Sequence, residues 1–66
     1  MISDANFTAM IRVALRTTGT VSWELGDFLG VSRLTVERWT EGRNLPYQAL
    51  REPIERAVDD YVRQKS

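Results

Sequence analysis

Arg33, Glu37 and Arg38 stand in one short run, "SRLTVERWTEGR", and they carry most of the chemistry that this sequence can do. The chain has no histidine and no cysteine. The commonest general base, the commonest transition-metal ligand and any thiolate nucleophile are therefore missing. What remains is recognition by hydrogen bond and charge. A guanidinium presents a rigid fork of donors, a carboxylate only accepts, and a serine hydroxyl does both. Asp59 and Asp60 are adjacent carboxylates, but neighbours on a helix point about 100° apart, so the pair reads as a solvated face and not as an acid–base couple. Neither an enzyme nor a cofactor, metal or small-molecule ligand is expected of a chain this small.

Those side chains need a frame. Sixty-six residues, 42% of them apolar, supply one core and no second, so residues 1–66 are expected to form a single domain. The first helix reads from about Asp4 to Thr18. Ser3, Asp4 and Asn6 offer N-cap oxygens, Gly19 suits the left-handed residue past the end, and Phe7, Met10, Ile11, Ala14 and Leu15 recur at helical spacing. A second helix spans about Ser22 to Leu29, capped by Thr20 or Ser22, with Leu25, Phe28 and Leu29 inward. A third starts after Ser32 and runs to about Glu41, where Gly42 ends it. Val36 and Trp39 lie one turn apart on it and face the same way. Pro46 is read as opening a short fourth helix with Tyr47 and Leu50 inward. Pro53 is read as opening a separate fifth, in preference to kinking one continuous helix. Ile54, Ala57, Val58 and Tyr61 line the inner face of that last segment, with Val62 at its edge. No segment alternates like a strand. The expected fold is an all-α domain of four or five short helices.

The junction "LGDFLGVSRLTVERW" makes stricter demands. The chain must reverse sharply after the second helix, which requires a residue at positive φ, and Gly30 supplies it. Gly26 costs up to about 1 kcal/mol relative to alanine inside a helix, so its presence asks for a close helix contact as compensation. Leu25, Leu29, Val31, Val36 and Trp39 then hold the apolar positions that lock two helices at a wide angle. With Val36 inward, Leu34 and Arg38 point almost directly away from the core. Glu37 and Glu41 flank them, and Arg33 projects from the first turn beside Ser32.

The stretch "VSWELGDFLGVSRLTVERWTEGRNLP" resembles the helix-turn-helix of the lambda-repressor-like DNA-binding domains, the group that includes the phage repressors and Cro proteins. The resemblance rests on Gly26, the turn "GVS", the apolar set and Gly42 followed by Pro46, and the helices on either side extend it over nearly the whole chain. It implies that the third helix, about residues 32–41, lies in the major groove of double-stranded DNA. The base-contacting positions then fall on Ser32, Arg33, Leu34, Glu37 and Arg38. Their chemistry suits base recognition. An arginine grips a guanine through two acceptors, Glu37 accepts from a cytosine amino group, and Leu34 packs on a thymine methyl. Phosphate contacts fall on Ser22, Arg43 and Asn44. Gly26, Gly30, Val36 and Trp39 are structural. Where many members carry a Glu that pairs with an Arg of the first helix, this chain has Thr40, and that ion pair is not expected. Trp23 stands at a position that is usually polar. Packing on the first helix, on the fourth, or against the DNA backbone are all open to it.

Charge sets the terms of binding. Nine basic residues balance nine acidic ones, and residues 33–43 hold three arginines against Glu37 and Glu41, a net of +1. Counterion release is then small and non-specific affinity low, so binding depends on specific contacts doubled in a homodimer on a two-fold symmetric site. Tyr61 and Val62 are the expected dimer contact. The resemblance implies a transcriptional regulator that acts by occupying its operator. A different class, a protein-interaction module on the same helical scaffold, stays open beside it. No apolar run is long enough to span a bilayer and no basic-then-apolar leader opens the chain, so a cytoplasmic protein of prokaryotic or phage origin, without a membrane partner, is expected.

Overall fold

Helix formation begins at Ser3, whose Oγ accepts from the Asn6 amide at 3.1 Å. In the computed structural model, which describes residues 1–66, four helices follow: α1 (Asp4–Thr18), α2 (Ser22–Leu29), α3 (Arg33–Thr40) and α4 (Gln48–Lys65). There are no strands, and the protein is a compact all-α domain. Gly19 closes α1 in the left-handed region at φ 69°, donating to the Leu15 carbonyl. Ser32 caps α3 as Ser3 caps α1, its Oγ accepting from the Thr35 amide at 3.1 Å.

The apolar periodicity meets in one cluster. Phe7, Ile11 and Ala14 from α1, Leu25 from α2, Val36 and Trp39 from α3, and Val58 and Tyr61 from α4 are all buried. Each large side chain fully removed from water contributes about 1.5–3 kcal/mol. Phe7 meets Trp39 edge to face, with centroids 5.3 Å apart and planes at 81°. α1 and α4 run parallel: Asp4 at the start of one touches Arg51 near the start of the other, and Thr20, just past the end of α1, accepts from the Tyr61 hydroxyl.

Three expectations are corrected here. The segment after Leu45 is one helix, not two, and Pro53 lies inside it. Proline has no N–H for the Ala49 carbonyl, but Ala49 and Pro53 are both exposed, so that solvent can take the missing donor's place. The inner face (Arg51, Ile54, Val58, Tyr61) keeps its register across the proline, and its packing holds the helix continuous. Tyr47 and Leu50 point outward, 85% and 50% exposed, because Arg51 takes the inward place of the first turn. Finally, neither Thr20 nor Ser22 caps α2. Val21 is the N-cap residue and has no side-chain bond, while the Thr20 hydroxyl is occupied by Thr18 and by Tyr61.

Tyr61 itself lies in the core, its hydroxyl bonded to Thr20 at 2.9 Å, whereas Val62 beside it stays half-buried. Phe28, expected inward, is half-exposed and packs one side against Tyr61 at 5.1 Å. Arg51 is the only charged residue in the interior. It donates to the Pro46 carbonyl at 2.9 Å, the Ile2 carbonyl at 3.0 Å and the Asp4 carboxylate at 2.7 Å. Its guanidinium also lies 5.8 Å from the Phe7 ring centre. The N-terminus is thereby tied to the loop before α4. No helix is long and apolar enough to cross a membrane.

Candidate nucleic-acid interface

The α2–α3 junction fixes how α3 is presented. α2 ends at Leu29, and Gly30 turns the chain at φ 79°. The Val31 amide then donates to the Gly26 carbonyl at 2.9 Å. A Cβ on Gly26 would lie 2.7 Å from the Val31 carbonyl oxygen, well inside contact distance. The turn therefore packs directly on the α2 backbone, and only glycine allows it. Val36 and Trp39 anchor the opposite side of α3 in the core, and Trp39 also donates from Nε1 to the Asn44 carbonyl at 3.2 Å. With both ends of the junction held, the outer side of α3 is presented rigidly.

That outer side carries the sequence-predicted set. Arg33 is exposed, with its Nε 3.6 Å from the Glu37 carboxylate one turn on. Leu34 is 48% exposed and lies outside the core cluster and the side chains packed against it. Arg38 and Glu37 are partly buried, and Arg38 takes part in no ion pair. Ser32 is exposed but not idle, since its hydroxyl caps the helix and also meets the Thr35 hydroxyl at 2.9 Å. Arg33, Leu34, Glu37 and Arg38 are thus brought together on one face.

The phosphate-contact candidates lie around it. Ser22 opens α2, whose first turn has no side-chain cap, and the leading amides of such a turn have no partner within the helix. Arg43 is exposed, but its guanidinium is held by Glu41 at 2.7 Å. Asn44 adopts φ 50°, the one non-glycine residue at positive φ, and its side chain is exposed. Trp23 is 55% exposed beside Ser22, so it belongs to the surface and not to the packing between helices.

Two features have no signal in the sequence. The Arg12 Nε donates to the Thr40 carbonyl at 2.6 Å, which ties α1 to the last turn of α3 without any carboxylate. A cation on a helix's final carbonyl suits the macrodipole, yet no sequence pattern marks a bond between residues so far apart. The Glu41 clasp on Arg43 is the other, because in the chain Glu41 reads only as a flank of α3. No three acidic side chains converge as metal ligands. No family model, curated protein or solved structure matches this chain.

Proposed function

We propose that the protein is a sequence-specific DNA-binding transcriptional regulator of the lambda-repressor-like, Cro-like type. In this reading α2 and α3 form a helix-turn-helix and α3 enters the major groove. Arg33, Leu34, Glu37 and Arg38 read base edges there, Ser32 sets the start of the helix, and Ser22, Arg43 and Asn44 hold phosphates. A single domain of this size covers a few base pairs, so the functional unit is a homodimer on a two-fold symmetric operator. The observation that carries the reading is the outward set on α3. It combines two guanidiniums, a carboxylate and a half-exposed leucine on a helix whose angle is fixed by the Gly26–Val31 contact.

Selection of bound duplexes from a random pool, followed by titration at several salt concentrations, tests it. Arg38→Ala relaxes the preference at one base pair, at a cost of about 1–3 kcal/mol. Arg43→Ala weakens all sequences alike and flattens the salt slope by about one. Failure of the wild-type protein to enrich any sequence overturns the reading.

A second reading, a protein-interaction module on the same scaffold, is favoured by a separate observation. Two of the three arginines on this side already have a carboxylate partner, Arg33 with Glu37 and Arg43 with Glu41. Under that reading neither arginine substitution changes affinity for any duplex.

A further inference from the structure

α1 gives one side to the core and leaves Ala5, Ala9 and Val13 on the other, with Val13 45% exposed. They rise between two open grooves. One, of about 560 Å³, is bordered by Asp4, Thr8, Arg12 and Arg16. The other, toward α4, holds Met10, Thr17 and Val62 and is bordered by Asp59 and Arg63. Nothing in the chain covers this face.

We propose that a second copy of the same face covers it, with α1 antiparallel to the partner's α1 and crossing it at Ala9. The order of charges along the helix supports this occupant over an unrelated one. Asp4 stands at the start of the outward face, the apolar residues in the middle, and Arg12 and Arg16 at the end. Reversed, that pattern is its own complement, which is the condition for a two-fold contact. A crossing at Ala9 sets Ala5 against the partner's Val13. It sets Asp4 against the level of residue 14, which Arg12 and Arg16 straddle on the outward side.

The charged groups have capacity to spare for this contact. Asp4 uses Oδ1 for Arg51 and keeps Oδ2. Arg12 uses Nε for the Thr40 carbonyl and keeps both terminal nitrogens, and Arg16 is in no ion pair. Small side chains at the crossing let the two helices approach closely, so that the partner's Val13 enters the groove beside Ala5. A standard interface takes about 800 Å² from each partner. That is roughly a fifth of the 4285 Å² surface of this protein.

The proposal deepens the dimer part of the proposed function and is tested without DNA. Sedimentation equilibrium of the full chain is expected to give a monomer–dimer equilibrium that shifts toward monomer as salt rises. Ala9→Arg, at an exposed helical position, places like charges at the crossing and raises the dissociation constant by about 100-fold or more. Arg16→Glu sets acid against the partner's Asp4 and raises it by roughly tenfold. Circular dichroism is the control, with both variants expected to keep the wild-type helix content. A wild-type chain that stays monomeric at its solubility limit overturns the proposal, as does a dimer that Ala9→Arg leaves unchanged. Loss of duplex affinity in the separate selection experiment counts against the operator reading and leaves this result standing.

Discussion

Arg51 and Asp4 form an unequal ion pair, in which a guanidinium 8% exposed donates at 2.7 Å to a carboxylate 80% exposed. The two ends should therefore respond differently to removal. Asp4→Asn keeps an acceptor in place, and an exposed pair contributes little, so urea unfolding should register a loss of about 1 kcal/mol at most. Arg51→Ala strips the Pro46 carbonyl of its partner, removes one of the two donors to the Ile2 carbonyl, and takes contact from the face of Phe7. It should cost about 2–4 kcal/mol. Equal losses from the two substitutions would show that the Coulombic pair matters more than the buried hydrogen bonds.

Gly26→Ala sets two effects of opposite sign against each other. Alanine raises helix propensity by about 1 kcal/mol. The new Cβ, however, would sit 2.7 Å from a backbone oxygen that no rotamer change can move. Overpacking of that kind costs about 1–3 kcal/mol, so thermal denaturation should show a net loss. Under the DNA-binding reading, because the contact sets the angle of α3, the same variant should also bind DNA less selectively than its stability alone accounts for.

Pro53→Ala runs the other way. It restores an N–H to the Ala49 carbonyl and removes the ring's clash with the preceding turn, against a small entropic gain for the unfolded chain. Denaturation should show a stabilisation of about 1–2 kcal/mol with unchanged helix boundaries. A loss of stability would mean that the proline shapes α4 in a way its neighbours depend on.

Glu41 holds Arg43 at 2.7 Å, and its own charge repels phosphate. Under the DNA-binding reading, Glu41→Gln frees one cation for the backbone. Affinity for random duplex should rise, and the salt slope should steepen by about 0.9. The selected sequence should stay the same, since Glu41 lies past the end of α3. A changed consensus would move Glu41 into the base-reading set.

What can be read in the chain depends on how local its cause is. Ser3, Gly19, Gly30 and Ser32 act within one turn of themselves, and the bounds of α1, the end of α2 and the start of α3 follow from them. Gly26 is also legible, because a glycine inside an apolar-periodic helix needs an explanation. Pro53 misleads because its local rule is real but is overridden by the register of Ile54, Val58 and Tyr61 against the core. Arg51 and Thr20 are invisible for a different reason. Their partners lie far away in the chain, at Ile2 and Asp4 for one and at Tyr61 for the other. At the candidate interface, the outward direction of Arg33, Leu34 and Arg38 follows from helical stepping. The carboxylate grip on Arg43 lies in a loop, where no period applies.

The two indoles of the chain report on different events. Trp39 is sealed beneath Phe7, so its emission should follow only the cooperative loss of the core. Trp23, half in water at the head of α2, should be nearly silent in that transition. It should instead respond to whatever approaches Ser22 and the uncapped amides beside it. A single cuvette can thus separate unfolding from encounter: a blue shift or quench at Trp23 without change at Trp39 is the optical signature of a partner arriving at that end of the molecule.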